Sequence, residues 1–195
     1  MPEPHRTIGV DIGGTFIKIA ALWSDGRVLA SSQIPTAAGA GPERALLRLL
    51  EAVRDLLAAH GLEPGEMHAV GIDSAGIVDG ERNLVLDAPN LRSWERFPLA
   101  ERLGAALGLP VFLENDVNAM AYGEWRCGAG RGTRHLLCLT LGTGVGGGLI
   151  LDGKLYRGAS GAAGEIGHMP VNGRGPRCNC GSFGCLERYV GAGYI

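Results

Sequence analysis

Several things are missing from this chain of 195 residues, and each absence removes a class of function. No run of about eighteen apolar residues occurs, so no segment reads as a membrane-spanning helix. The first residues, Met1-Pro-Glu-Pro-His-Arg, lack the basic start and apolar stretch of a secretory leader. Positive charge is not in excess. Lys and Arg number 18 against 20 Asp and Glu, and the net charge of −2 leaves no footprint for nucleic acid or an anionic membrane. No glycine loop is closed by Gly-Lys-Ser/Thr, which excludes a Walker A motif. Nor does a glycine fingerprint lead into a helix as a Rossmann turn requires. The five cysteines are an odd number, and a reducing cytoplasm fits them better than a disulfide framework. Cys127 and Cys138 stand alone and are expected to be small buried packing residues.

What is present is a composition with 46% hydrophobic and 19% charged residues, enough for a globular core. Glycine is over-represented, at 33 residues. The glycines are neither periodic nor blended with Ser or Gln, so they mark tight turns and places where backbones approach closely.

In chain order, Thr7 to Val10 reads as a strand, Asp11-Ile-Gly-Gly-Thr15 as a glycine turn, and Phe16 to Leu22 as a second strand. Asp25-Gly26 signals a type I′ hairpin turn before a third strand, Val28 to Ile34. A helix is expected from Pro42 to His60, with Leu46, Leu49, Leu50, Val53, Leu56 and Leu57 on one face and Gly61 as its stop. His68 to Asp73 is a short buried strand, followed by a loop from Ser74 to Gly80. Pro98 at a first helical position opens a helix to about Leu107. Val111 to Leu113 is a strand ending at Glu114-Asn115-Asp116, and a helix follows from Val117 to about Trp125. Gly128 to Gly132 is the expected boundary between an N-terminal domain, 1–132, and a second domain, 133–195. That second domain repeats the opening pattern: strand from His135 to Leu141, glycine turn from Gly142 to Gly148, strand from Leu149 to Leu151, and an Asp152-Gly153 turn.

The residues with chemical potential fall into three groups. The glycine turn after Asp11 exposes backbone N–H groups, and Thr15 adds a hydroxyl; together they suit phosphate oxygens, or form only a tight hairpin. Asp11 could hold Mg²⁺ through an intervening water, since hard cations favour a carboxylate beside phosphate oxygens. Gly142, Thr143 and Gly144 open a second such cradle. Asp116 is either a helix cap or a general base at the C-terminal end of a strand, where clefts form in α/β layers. Asn115 precedes it, and Asn90 in an irregular loop has an amide able to bind sugar hydroxyls. The stretch Gly164 to Glu187 crowds Glu165, His168, Cys178, Cys180, Cys185 and Glu187 among glycines. His168 and the three cysteines suffice for one closed tetrahedral zinc site, which would fold the loop so that the two glutamates face a substrate.

Taken together, DIGGT at 11–15, LGTGVGGG at 141–148, GEIGH at 164–168 and CNCGSFGCLE at 178–187 resemble the ROK family of sugar kinases, repressors and open reading frames. The resemblance implies an α/β fold of the actin-like ATPase, ribonuclease H-like class, hexokinase-type, with sugar and ATP bound between two domains. It implies Asp116 as catalytic base and Asn90, Asn115, Asp116, Glu165, His168 and Glu187 as the sugar-binding residues. Phosphate would meet Asp11, Gly13, Gly14, Thr15, Gly142, Thr143 and Gly144, while His168, Cys178, Cys180 and Cys185 would bind zinc. PNLRSWERFPL at 89–99, with LENDVNA and GAAGEIGH, looks most like bacterial glucokinases phosphorylating glucose at O6. Other hexoses (N-acetylmannosamine, N-acetylglucosamine, mannose, fructose) and a sugar-sensing regulator without turnover stay open. Too few residues precede the first strand for the repressors' helix-turn-helix. The family's adenosine-binding segment lies beyond Ile195, so the second domain is expected to be incomplete. The family also implies a homodimer or higher homo-oligomer.

Overall fold

The computed structural model describes residues 3–80, 82–87, 94 and 96–194. By its internal contacts the chain divides into two compact units, Met1–Asp116 and Val117–Ile195. The glycine-rich stretch 128–132, expected to close the first domain, therefore lies inside the second unit.

In the first unit the strands are β1 (Arg6–Ile12), β2 (Phe16–Trp23), β3 (Val28–Pro35), β4 (Met67–Ser74), β5 (Ile77–Asp79), β6 (Leu84–Asp87) and β7 (Val111–Asn115). Five of them form one sheet in the order β3-β2-β1-β4-β7. β1, β2 and β3 pair antiparallel, whereas β1, β4 and β7 run parallel. The expected meander is present, but its second turn is not type I′. Gly26 N–H bonds to the Trp23 carbonyl at 2.9 Å, and of Asp25 and Gly26 only Gly26 has a positive φ, 93°. That is a type I turn closed by a left-handed glycine, the usual three-residue hairpin. The stretch expected as a loop after β4 contains β5, which pairs antiparallel with β6.

The parallel neighbours need crossover connections, and helices supply them. Helix α1 (Pro42–Ala59) buries Ala45, Leu46, Leu49, Leu50, Val53, Leu56 and Leu57, the face its periodicity marks, against β2 and β3. Gly61 follows its end at φ 64°. Helix α2 (Leu99–Leu107) joins β4 to β7 by way of the β5–β6 hairpin; Pro98 caps it from outside the first turn, and Gly108, at φ 70°, ends it. Both helices meet the alternate residues Ile8, Val10 and Ile12, Ile17 and Ile19, Val70 and Ile72, and Val111 and Leu113 in one core. This alternation leaves Asp11, Lys18, Asp73 and Glu114 on the opposite face of the sheet.

The second unit begins with helix α3 (Asp116–Cys127), whose first residue closes the first unit. It holds a three-stranded antiparallel sheet in the order β10-β9-β8, built from β8 (Leu136–Leu141), β9 (Val145–Leu151) and β10 (Lys154–Leu155). Asp152 and Gly153 both have positive φ, 51° and 71°, so this hairpin does use the type I′ turn. A 3-10 turn (Ile166–His168) and the short helix α4 (Glu187–Val190) bracket the cysteine-rich loop. Cys127 is exposed and Cys138 half-buried, so the expectation that both are packed inside fails. No helix among the described residues is long and apolar enough to cross a membrane.

The glycine turn expected at 142–148 is shorter than its sequence suggests, because Gly146, Gly147 and Gly148 belong to β9. They are glycine for packing. On one face, a Cβ on Gly148 would lie 2.5 Å from Ala121 Cβ and 2.8 Å from the Val117 carbonyl oxygen, both on α3. On the other, a Cβ on Gly147 would collide with the Gly164 carbonyl oxygen, and one on Gly164 with that of Gly147. Helix and loop thus lie directly on the backbone of β9.

Candidate functional site

In the first unit, β1, β4 and β7 end at the same edge of the sheet, and each carries an acid at or next to its end. Asp11 is the register partner of Asp73, and Asp73 of Glu114. On β2, Lys18 faces Asp11, and its Nζ donates to Asp11 Oδ2 at 2.7 Å. The glycine turn beyond Asp11 is tied down from β3's end. The buried Thr36 hydroxyl donates to the Gly13 carbonyl at 2.6 Å, and its N–H to the Thr15 carbonyl at 2.8 Å. Gly14 and Thr15 are exposed, as groups meeting a phosphate must be.

At the end of β7, the Asn115 amide nitrogen donates to Asp116 Oδ1 at 2.9 Å and to the Gly76 carbonyl at 3.0 Å. One amide thus fixes the Asp116 carboxylate against the loop that follows β4. Asp116 is half-buried and opens α3, whose N-terminus favours a negative charge. Asn90 lies outside the described residues.

Two residues of this unit escaped the sequence reading. Thr36 gave no signal, for an isolated threonine after a strand is ordinary. Asp73 did: an acid inside the apolar run Ala-Val-Gly-Ile-Asp is an anomaly, because carboxylates are seldom buried without a partner. Burial first, then the negative charges of Asp11 and Asp116, push the Asp73 carboxyl up to about 8, with Lys18 acting in the opposite sense. Asp73 therefore holds a proton at neutral pH.

In the second unit, Glu187 Oε2 accepts the Val145 N–H at 3.0 Å. Its carboxylate occupies the space beside Gly144, where a Cβ would run into it. The Gly142 carbonyl accepts the Ala192 N–H at 2.8 Å, so the second glycine turn is held by the segment around α4. Glu165 and His168 flank Gly167, which lies on β9 so closely that a Cβ would meet the Val145 carbonyl oxygen. These contacts bring Gly144, Glu187, Glu165 and His168 onto elements packed around one strand.

His168 points two ways. Its Nδ1 lies 3.6 Å from Cys178 Sγ, and Nε2 lies 3.9 Å from Glu165 Oε2, too far for a hydrogen bond. The Cys180 and Cys185 sulfurs are 3.7 Å apart, and all four ligand atoms of His168, Cys178, Cys180 and Cys185 fall within 4.8 Å of one another. Four ligands around one tetrahedral zinc, with Zn–S of about 2.3 Å and Zn–N of about 2.0 Å, would stand roughly 3.5–3.8 Å apart. The donor set and its spacing fit that ion. All five cysteines are free. Burial, then the neighbouring thiols Cys180 and Cys178, push the Cys185 thiol up to about 11. A cation is what would turn it into a thiolate.

Known proteins resemble this chain in sequence and fold. A glucokinase of Streptomyces coelicolor is 44% identical over 184 residues, covering 94% of this chain and 56% of that protein. The crystal structure of a ROK family glucokinase from Streptomyces griseus in complex with glucose and AMPPNP is 43% identical, with a TM-score of 0.80, over 97% of this chain and 58% of that one. The ROK hexokinase of Thermus thermophilus is 36% identical, with a TM-score of 0.85, over 97% and 61%. The chain thus spans a little over half the length of these relatives, and their fold bears out the expected hexokinase-type α/β class. The model of the ROK family matches residues 7–193, and the chain belongs to that family.

Proposed function

We propose that this chain supplies the sugar-binding and phosphate-binding groups of an ATP-dependent glucokinase. The observation that carries the reading is its similarity, over 97% of its length, to a glucokinase whose structure holds glucose and AMPPNP. The geometry within each unit is consistent with that chemistry. Asn115, Asp116, Glu165, His168 and Glu187, with Asn90, would hold the hydroxyls of the hexose. The turns at Gly13-Gly14-Thr15 and Gly142-Thr143-Gly144 would offer N–H groups and hydroxyls to the phosphates of ATP.

In this mechanism the Asp116 carboxylate accepts the proton of the sugar O6 hydroxyl. The oxygen attacks the γ-phosphorus in line, and the bond to the β–γ bridging oxygen breaks, leaving ADP. The Asn115 amide keeps the Asp116 oxygens oriented for that transfer. Asp11 would hold Mg²⁺ through water; the ion supplies charge neutralisation to the phosphates. The zinc proposed at His168 and the three cysteines is structural. With Nδ1 given to such an ion, His168 Nε2, beside Glu165, would remain for the sugar.

A sugar-dependent ADP-release assay on the full-length protein, run with glucose and a panel of other hexoses, tests the reading. Glucose should give the highest kcat/KM, and Asp116→Asn should lower turnover by orders of magnitude while sugar binding survives. Turnover like wild type in that variant would end the base assignment. Preference for another hexose would move the protein to a different sugar, and sugar binding without turnover would make it a sensor.

A further inference from the structure

The order of strands in the first unit places β4 between β1 and β7. β1 leads into the first glycine turn through Asp11, and β7 leads into α3 through Asn115 and Asp116. Strands in such a sheet are about 4.8 Å apart, so carboxylates on β1 and β7 stand about 10 Å from each other with β4 in the gap. The side chain that fills this gap is Asp73, the register partner of Asp11 on one side and of Glu114 on the other.

We propose that Asp73 is a positioning residue for phosphoryl transfer, bridging the strand of the first phosphate turn to the strand of the catalytic base. The proposal rests on the kinase reading above. Asp73 stands directly across from Asp11 in the parallel register and on the same face of the sheet, where its carboxyl can hydrogen-bond to that of Asp11, and the negative charges of Asp11 and Asp116 both act on it. Between two carboxyl groups such a bond needs a proton, and the surroundings keep one on Asp73. Among the described residues, the charged and titratable groups around it include Asp11 from β1, Lys18 from β2, Glu114 from β7 and Asp116 at the start of α3. Lys18 is already committed to Asp11 Oδ2. Glu114 Oε1 is turned back to accept the Asn115 N–H at 3.1 Å. Asp73 is left as the donor that ties Asp11 to the middle of the sheet. An ionised residue there would add a third negative charge beside two that must meet phosphate and accept a proton.

Asparagine keeps an N–H donor in nearly the same place, whereas alanine removes it. In the full-length protein, Asp73→Asn should keep kcat for the preferred sugar within about threefold of wild type. Asp73→Ala should lose at least about tenfold in kcat with the sugar KM little changed, because the sugar contacts are untouched. Two results would overturn the proposal: Asp73→Ala with wild-type kcat, or Asp73→Asn as inactive as Asp73→Ala. A merely structural role would lower the melting temperature without splitting kcat from KM. If wild type phosphorylates no sugar, the kinase reading fails by itself. The bridge is then read in ¹⁵N-labelled protein from the side-chain amide signals of Asn115, which donates to Asp116. Those signals should shift in Asp73→Ala and hold in Asp73→Asn; no shift in Asp73→Ala refutes the bridge.

Discussion

Replacing Gly148 with alanine tests the packing that shapes the second unit. The residue lies buried in β9, with a positive φ neither required nor observed, so the backbone itself accepts alanine. Strand entropy alone would favour the change by roughly 0.4–1 kcal/mol. Space forbids it. The new methyl would sit 2.5 Å from Ala121 Cβ and 2.8 Å from the Val117 carbonyl oxygen, where ordinary contact begins at 3.4 Å. Both obstacles belong to α3, one a helix backbone atom and the other a fully buried methyl, so neither can rotate away. The helix must retreat by close to an ångström, and overpacking of that kind costs about 1–3 kcal/mol. The expected net loss is about 1–2 kcal/mol, read as a fall in the urea midpoint followed by fluorescence and circular dichroism. Gly71→Ala is the control: it too lies within a strand, β4, but a Cβ there meets nothing within 4 Å. It should be neutral or slightly stabilising. Equal effects of the two substitutions, or a Gly148→Ala variant as stable as wild type, would refute the reasoning.

Two further outcomes follow from the same geometry. Metal analysis should find about one zinc per chain, and Cys178→Ser or a strong chelator should remove it and unfold the 165–187 loop; a metal-free protein with that loop intact would count against the site. For Asp73, the folded carboxyl is raised to about 8, well above its ordinary value, so the native state keeps a proton that the unfolded chain releases above about pH 4. Stability from this group is full below about pH 4 and is lost as pH rises through about 8. Asp73→Asn should flatten that decline and leave the protein at least about 2 kcal/mol more stable than wild type at pH 8, since each pKa unit weighs about 1.4 kcal/mol. An unchanged stability-against-pH curve by urea titration would show that the carboxyl is not so perturbed.

What local chemistry decides was legible in the residues alone. The leucine period of α1, the stop at Gly61 and the His168–Cys178–Cys180–Cys185 spacing each depend on neighbours a few residues away or on ligand chemistry. So did the Asp-Gly hairpins, although two identical dipeptides close two different turns. The closure at Asp25-Gly26 is set by how Trp23 pairs with Arg27, while Leu151 and Lys154 pair directly around Asp152-Gly153. Gly146 to Gly148 read as a turn because a run of glycines has no periodicity of its own. Only the approach of α3 to one face of β9 and of Gly164 to the other shows that they are strand residues with the Cβ space taken. Asp73 was passed over for the same reason. Its partner Asp11 lies 62 positions earlier in the chain, and parallel pairing across β1, β4 and β7 is a non-local choice made by burial of the isoleucine and valine face. By itself, then, the sequence determined most of the elements, a histidine–cysteine set able to hold a metal, and the family pattern. The tertiary structure alone decided which acids share an edge of the sheet, because that depends on strand order, which no short-range signal carries.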